Sequence, residues 1–140
     1  MMKVDGACHC GEIRFEAEVD PQSCYICHCT DCQHFSGGPF RTVVFAPGDK
    51  LTLLSGTPRT YVKTAESGNR RIQAFCGTCG TSFYSCSADA EKPDSYALRL
   101  GIIRQHADFT PLGQNWHRSA PAWLDHLKDI PANETVPQKP

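Results

Sequence analysis

Arg71-Ile72-Gln73-Ala74-Phe75-Cys76-Gly77-Thr78-Cys79-Gly80-Thr81-Ser82-Phe83-Tyr84-Ser85 is the stretch on which the reading of this chain turns. A β-favouring run enters a C-x-x-C-G turn, and a second β-favouring run leaves it. Two close thiols at a strand end form a zinc knuckle. Its glycines allow the left-handed turn, and backbone amides can then face the sulfurs. A closed structural zinc site takes four protein ligands, so this knuckle needs a second pair. Gly6-Ala7-Cys8-His9-Cys10-Gly11 supplies one. If Cys8 and Cys10 lie in extended chain, both sulfurs point to the same side. Joined across a sheet, the two pairs would make a four-thiolate site. The plainer alternative is buried thiols acting as small hydrophobes.

Nine cysteines occur in 140 residues, and the third cluster differs in kind. Cys27-His28-Cys29-Thr30-Asp31-Cys32 places three thiols close together and leaves no further C-x-x-C to complete a tetrahedron. Three protein ligands with an open position is the arrangement of catalytic zinc. The fourth ligand could be water, a substrate thiol, Asp31, His34 or Cys24. A compact site closed by Cys24, Cys27, Cys29 and Cys32 is the structural alternative, and a redox-sensitive thiol patch is another.

Composition narrows the classes. The length suits one domain with a real core, expected over residues 1–130, with 131–140 as a flexible tail. Ten prolines and eleven glycines imply many turns, and metal can supply the cross-linking such a chain needs. The net charge of −1, without any basic block, argues against nucleic acid as the main partner. No apolar run reaches the roughly 18–20 residues of a membrane span, and Met1 to Gly6 lacks the apolar core of a signal peptide. A cytoplasmic location is expected. In that reducing compartment clustered cysteines read as zinc ligands rather than disulfides, and their odd total fits a disulfide framework poorly.

The remaining pattern is mainly β. Strands are expected at Gly11–Val19, Phe40–Ala46, Lys50–Leu54, Thr60–Thr64, Arg71–Phe75, Thr81–Ser85 and Ser95–Leu100. Glu66-Ser67-Gly68-Asn69 joins two of them as a hairpin turn. Helical periodicity is scarce, with one short piece expected over Ala122–Leu127.

The three clusters in this order, each with its glycine, resemble the glutathione-dependent formaldehyde-activating domain family, which also includes the CENP-V proteins. The residues that carry the resemblance are Gly6 to Gly11, Cys27 to Cys32 with Ser36-Gly37-Gly38, Arg71 to Gly80, and Arg118-Ser119-Ala120-Pro121-Ala122-Trp123. The resemblance implies a β-tent fold of short antiparallel sheets with little helix, stapled by zinc. It implies carbon–sulfur lyase chemistry, with glutathione or a related thiol and formaldehyde as small-molecule partners. It also implies two Zn2+ ions: a structural one on Cys8, Cys10, Cys76 and Cys79, and a catalytic one on Cys27, Cys29 and Cys32. The family's metal-binding frame carries over more firmly than its named reaction.

A few other side chains bear on function. His28, between two presumed ligands, should turn away from the metal and act as an outer support rather than as an acid or base. Ser36-Gly37-Gly38-Pro39 reads as a loop beside the triplet. Arg41, Lys63, Arg70 and Arg71 are candidate anchors for the carboxylates of glutathione, weighed against ordinary surface charge. Cys86 reads as a buried free thiol, Cys24 as a possible redox partner of Cys27, and Trp116 and Trp123 as core or lid packing. The rival functions are a non-catalytic zinc domain that binds a protein partner and a thiol redox sensor.

Overall fold

The computed structural model describes residues 1–137. The strands are β1 (Met2–Ala7), β2 (Arg14–Val19), β3 (Tyr25–Cys27), β4 (Arg41–Pro47), β5 (Leu51–Ser55), β6 (Arg59–Thr64), β7 (Arg70–Phe75), β8 (Ser82–Ser87), β9 (Ser95–Arg99) and β10 (Gln114–Asn115). One α-helix, α1 (Thr30–Ser36), lies between β3 and β4. The expectation of a mainly β chain holds. The strands form a smaller sheet ordered β1-β2-β5 and a larger one ordered β10-β3-β4-β9-β8-β7-β6. Every pairing is antiparallel except that of β10 with β3.

The core fills the space between the two sheets. Val4, Phe15 and Val19 of the small sheet meet Val44, Phe83 and Leu98 of the large one. Phe15 and Phe83 sit with ring centroids 4.9 Å apart, and each is 1% exposed. Full burial of such a ring is worth about 2–3 kcal/mol, so these two rings are principal ties between the sheets. β4 and β9 lie near the middle of the large sheet and are covered on both faces. In β4 the burial therefore takes in Arg41 and Val43 on one face as well as Val44 and Ala46 on the other.

Three local departures from the sequence pattern matter. The strand expected from Gly11 begins only at Arg14, because Gly11 takes a left-handed turn (φ 81°). Thr30–Ser36 is helical although its apolar spacing does not show it. Asp31 stands in its first turn and Gly37 (φ 66°) stops it, its N–H donating to the Gln33 carbonyl. Ser36-Gly37-Gly38 is thus a helix end as much as a loop. Near the C-terminus, Ala122–Asp129 is a 3₁₀ segment interrupted at His126 rather than an α-helix. Residues 131–137 contain no helix or strand and are exposed, and residues 138–140 of the expected tail lie outside the described residues. Among the described residues no helix is long and apolar enough to cross a membrane.

Candidate metal centres

Two turns bring four sulfurs together. The first leaves β1 at Cys8, where the Gly11 amide donates to the Cys8 carbonyl at 3.0 Å. The second leaves β7, where the Gly80 amide donates to the Cys76 carbonyl at 2.8 Å, with Gly80 left-handed at φ 78°. Cys8 and Cys10 therefore converge through a turn, not through extended chain. The His9 amide donates to Thr81 Oγ1 at 3.1 Å and joins the two turns. The four sulfurs of Cys8, Cys10, Cys76 and Cys79 all lie within 4.8 Å of one another.

The donor set fits a tetrahedral thiophilic ion. Zinc–sulfur bonds of about 2.3 Å place tetrahedral sulfurs about 3.8 Å apart. The Cys8–Cys10 and Cys10–Cys76 separations are 3.6 and 3.8 Å. The Ile13 amide donates to Cys8 Sγ at 3.2 Å, which stabilises a thiolate there. Sulfurs this close also split their acidities. Cys79 is drawn down to about 5, chiefly by the Thr81 hydroxyl, whereas Cys10, despite a hydrogen bond from the Glu12 amide, is pushed up to about 12 by desolvation and the neighbouring sulfurs.

The middle cluster is assembled at the junction of β3 and α1. Cys27 ends β3, and Cys29 caps α1 by accepting the Cys32 amide on its sulfur at 3.3 Å. Cys32 then points inward from the first turn and is 4% exposed. The three sulfurs lie within 4.8 Å of one another, so this group too could hold a metal ion. A hydrogen bond from Cys32 draws Cys27 down to about 5, and the same contact pushes Cys32 up.

Cys24 does not belong to this group. It is fully buried among the core residues between the sheets, and desolvation raises its pKa. Its backbone is extended, and residues three apart on extended chain face opposite sides. Asp31 bonds to Lys63 at 2.6 Å, and His34 Nδ1 bonds to the Thr30 carbonyl at 2.7 Å. Both side chains are thus engaged elsewhere.

A model of the glutathione-dependent formaldehyde-activating enzyme family matches residues 3–119. The chain belongs to this family. A solved structure of a Rhodobacter sphaeroides protein is similar to the chain at 20% identity and a TM-score of 0.60, covering 81% of this chain and 100% of that one. That likeness concerns the fold.

Around the triplet of this formaldehyde-activating domain, His28 acts as the outer support the sequence suggested, and Gln33, Phe40, Gln114 and His117, which sequence spacing did not mark, complete the site. His28 is 2% exposed, and its Nε2 pairs with Gln114 Oε1 at 2.7 Å. Phe40 and His117 meet its ring edge-on at 5.6 and 5.5 Å. A ring held this way orients β10 against β3. Gln33 donates to the carbonyls of His28 and Ser119, both at 3.0 Å, tying α1 to the late segment. Of the candidate anchors, Lys63 pairs with Asp31 and Arg70 with Asp89. Arg41 is buried and donates to Gln73 Oε1 at 2.9 Å, and Arg99 shares that oxygen at 3.1 Å. Trp116 and Trp123 are 46% and 47% exposed, so neither is core. Cys86 is buried and free. A surface hollow of about 1290 Å³ runs along the small sheet past Glu16, Lys50 and Arg104, away from the triplet.

Proposed function

We propose that the chain is a zinc-dependent carbon–sulfur lyase that forms or cleaves the S-hydroxymethyl adduct of glutathione or a related thiol. The observation that carries this is the contrast between the two sulfur groups. Four cysteines on paired turns can close a tetrahedron, whereas Cys27, Cys29 and Cys32 leave one position over. In this reading Cys8, Cys10, Cys76 and Cys79 staple one domain spanning residues 1–130, and the triplet holds the catalytic zinc. The family supports glutathione and formaldehyde as the partners, and dense reduced thiols suit the cytoplasm.

Zinc bound at the triplet would supply Lewis-acid charge that lets a fourth, incoming thiol lose its proton near neutral pH. The chain's own residues do the placing. Cys29 and Cys32 are fixed by the first turn of α1, and Cys27 by β3, so the open side is set by rigid backbone. Attack forms a carbon–sulfur bond as the carbonyl π pair moves to oxygen, and the proton released by the thiol ends on that oxygen. Cleavage is the reverse. His28, locked on Gln114, holds the wall of the site and takes no part in proton transfer.

The test is exchange spectroscopy on glutathione and formaldehyde with the zinc-loaded protein. Faster interconversion with S-hydroxymethylglutathione is expected, and Cys32→Ser should abolish the acceleration. An uncatalysed rate with a fully zinc-loaded protein would favour a binding domain instead.

A further inference from the structure

One face of the large sheet carries two buried cations and no anion. Cys27 stands directly opposite Arg41 in the β3–β4 register, and Val43, two residues on, stands opposite Arg99. Cross-strand partners share a face, so Cys27, Arg41 and Arg99 lie on the same side. Gln73 and Ser85 are paired across β7 and β8 on that side as well. α1 lies over it, with the Phe35 ring 5.6 Å from the Arg41 guanidinium. Arg41, Gln73, Ser85 and Arg99 are each no more than 9% exposed.

Their partners are all neutral. Arg99 donates to Ser82, Ser85, the Ala97 carbonyl and Gln73. Arg41 donates to the same Gln73 oxygen. Among the described residues neither arginine makes an ion pair, because Asp31, which feels the Arg41 charge, is bonded to Lys63. Among the described residues three buried side-chain polar atoms lack a partner, His28 Nδ1, Arg41 Nε and Gln73 Nε2, and the two that belong to this group are both donors. Burying two like charges beside unfilled donors is costly unless an anion sits nearby. Besides Asp31, whose charge is taken up by Lys63, the nearby groups that can become anions are the thiols: Cys27 and Cys32 both feel the Arg41 charge, and Arg99 feels Cys32.

We infer that Arg41 and Arg99 set the ligand class of the middle site, selecting an anionic fourth ligand such as a thiolate over a neutral one. The inference rests on the triplet holding a divalent ion. Such an ion among four thiolates keeps a double negative charge, which two buried guanidiniums neutralise. With water or imidazole as fourth ligand, one positive charge stays uncompensated. Arg41 and Arg99 are positioning residues acting through charge. They stabilise the deprotonated thiol, whose proton leaves to solvent, without touching the carbon that reacts. Gln73 holds the pair at a fixed spacing.

The test uses the full-length protein substituted with Co2+, following sulfur-to-cobalt charge-transfer absorption as glutathione or imidazole is added. Arg41→Gln and Arg99→Gln should each weaken glutathione binding about tenfold or more while moving imidazole affinity less than about twofold. Arg99→Lys, which keeps the charge, should recover most of the loss. Equal weakening of both ligands, or no weakening, overturns the inference. If a variant loses the absorption of its Cys8, Cys10, Cys76 and Cys79 site it has unfolded, and the wild type decides. There azide, a small anion, should bind more tightly than imidazole, and the reverse order overturns the inference. Absence of any glutathione response in the wild type would sink the open-site reading itself, and this inference with it. A response in the wild type that persists unchanged in the variants sinks only the inference.

Discussion

Cys24 and Cys27, three residues apart on the run into β3, lie on opposite sides of the large sheet. Cys24 faces the core and Cys27 joins Cys29 and Cys32. This relationship keeps the middle cluster at three thiols. Cys24→Ala should therefore leave the zinc count unchanged, as measured by atomic emission on the dialysed protein. It should lower stability by about 1–2 kcal/mol in denaturant melts, the cost of removing a buried sulfur from a packed core. Loss of one zinc would show that Cys24 is a ligand after all.

The closed site should behave as a fold determinant. Cys76→Ser removes a buried sulfur that stands 3.8 Å from Cys10. Structural zinc contributes on the order of 10 kcal/mol or more to small domains, so the variant should be unfolded by circular dichroism. An unchanged melting curve would remove the structural assignment.

The triplet should be separable from it. Cys32→Ser is expected to lose one zinc per chain while circular dichroism and the remaining zinc persist, because α1 keeps its cap through Cys29 and its stop at Gly37. Collapse of the whole fold would instead mean that both sites are structural.

How far the sequence led can be traced residue by residue. Both sulfur groups were legible because their cysteines fall in a tight triplet and two tight pairs, with glycines that mark the turns. The strands of the hairpin at the edge of the large sheet were legible from the Glu66-Ser67-Gly68-Asn69 turn between two β-favouring runs, and the structure gives β6 and β7 in the expected pairing, Lys63 opposite Arg71. The placement of Cys8 and Cys10 was not, since Gly11 forms a turn where alternation suggested a strand. Gln73 and Arg99 were invisible for another reason. They reach the site only through the order of strands in the sheet, and no local spacing encodes that β9 lies beside β4. Cys24 was ambiguous for the same reason: C-x-x-C spacing fits a metal site on a turn, but on extended chain it divides its sulfurs between two faces.

Alkaline pH offers an independent test of the packing. Burial first, then the nearby Cys86 and Tyr96, raises the Tyr84 phenol from 10 to about 12. Between those values the unfolded chain loses the proton while the fold retains it, so stability falls as pH rises through the window. Partial solvent contact reduces the effect to about 1–2 kcal/mol. Tyr84→Phe should flatten the decline in melting temperature between pH 10 and 12. An equally steep decline would place the phenol in open solvent.

The most direct test of the account is a glutathione titration of the protein carrying Co2+ at both sulfur groups. An open triplet should take the added thiol as a fourth sulfur. Charge-transfer absorption should then grow and saturate at one equivalent per chain, and Cys32→Ser should abolish the change. No spectral change at millimolar glutathione, with both groups loaded, would contradict an open site and leave a closed, non-catalytic zinc domain.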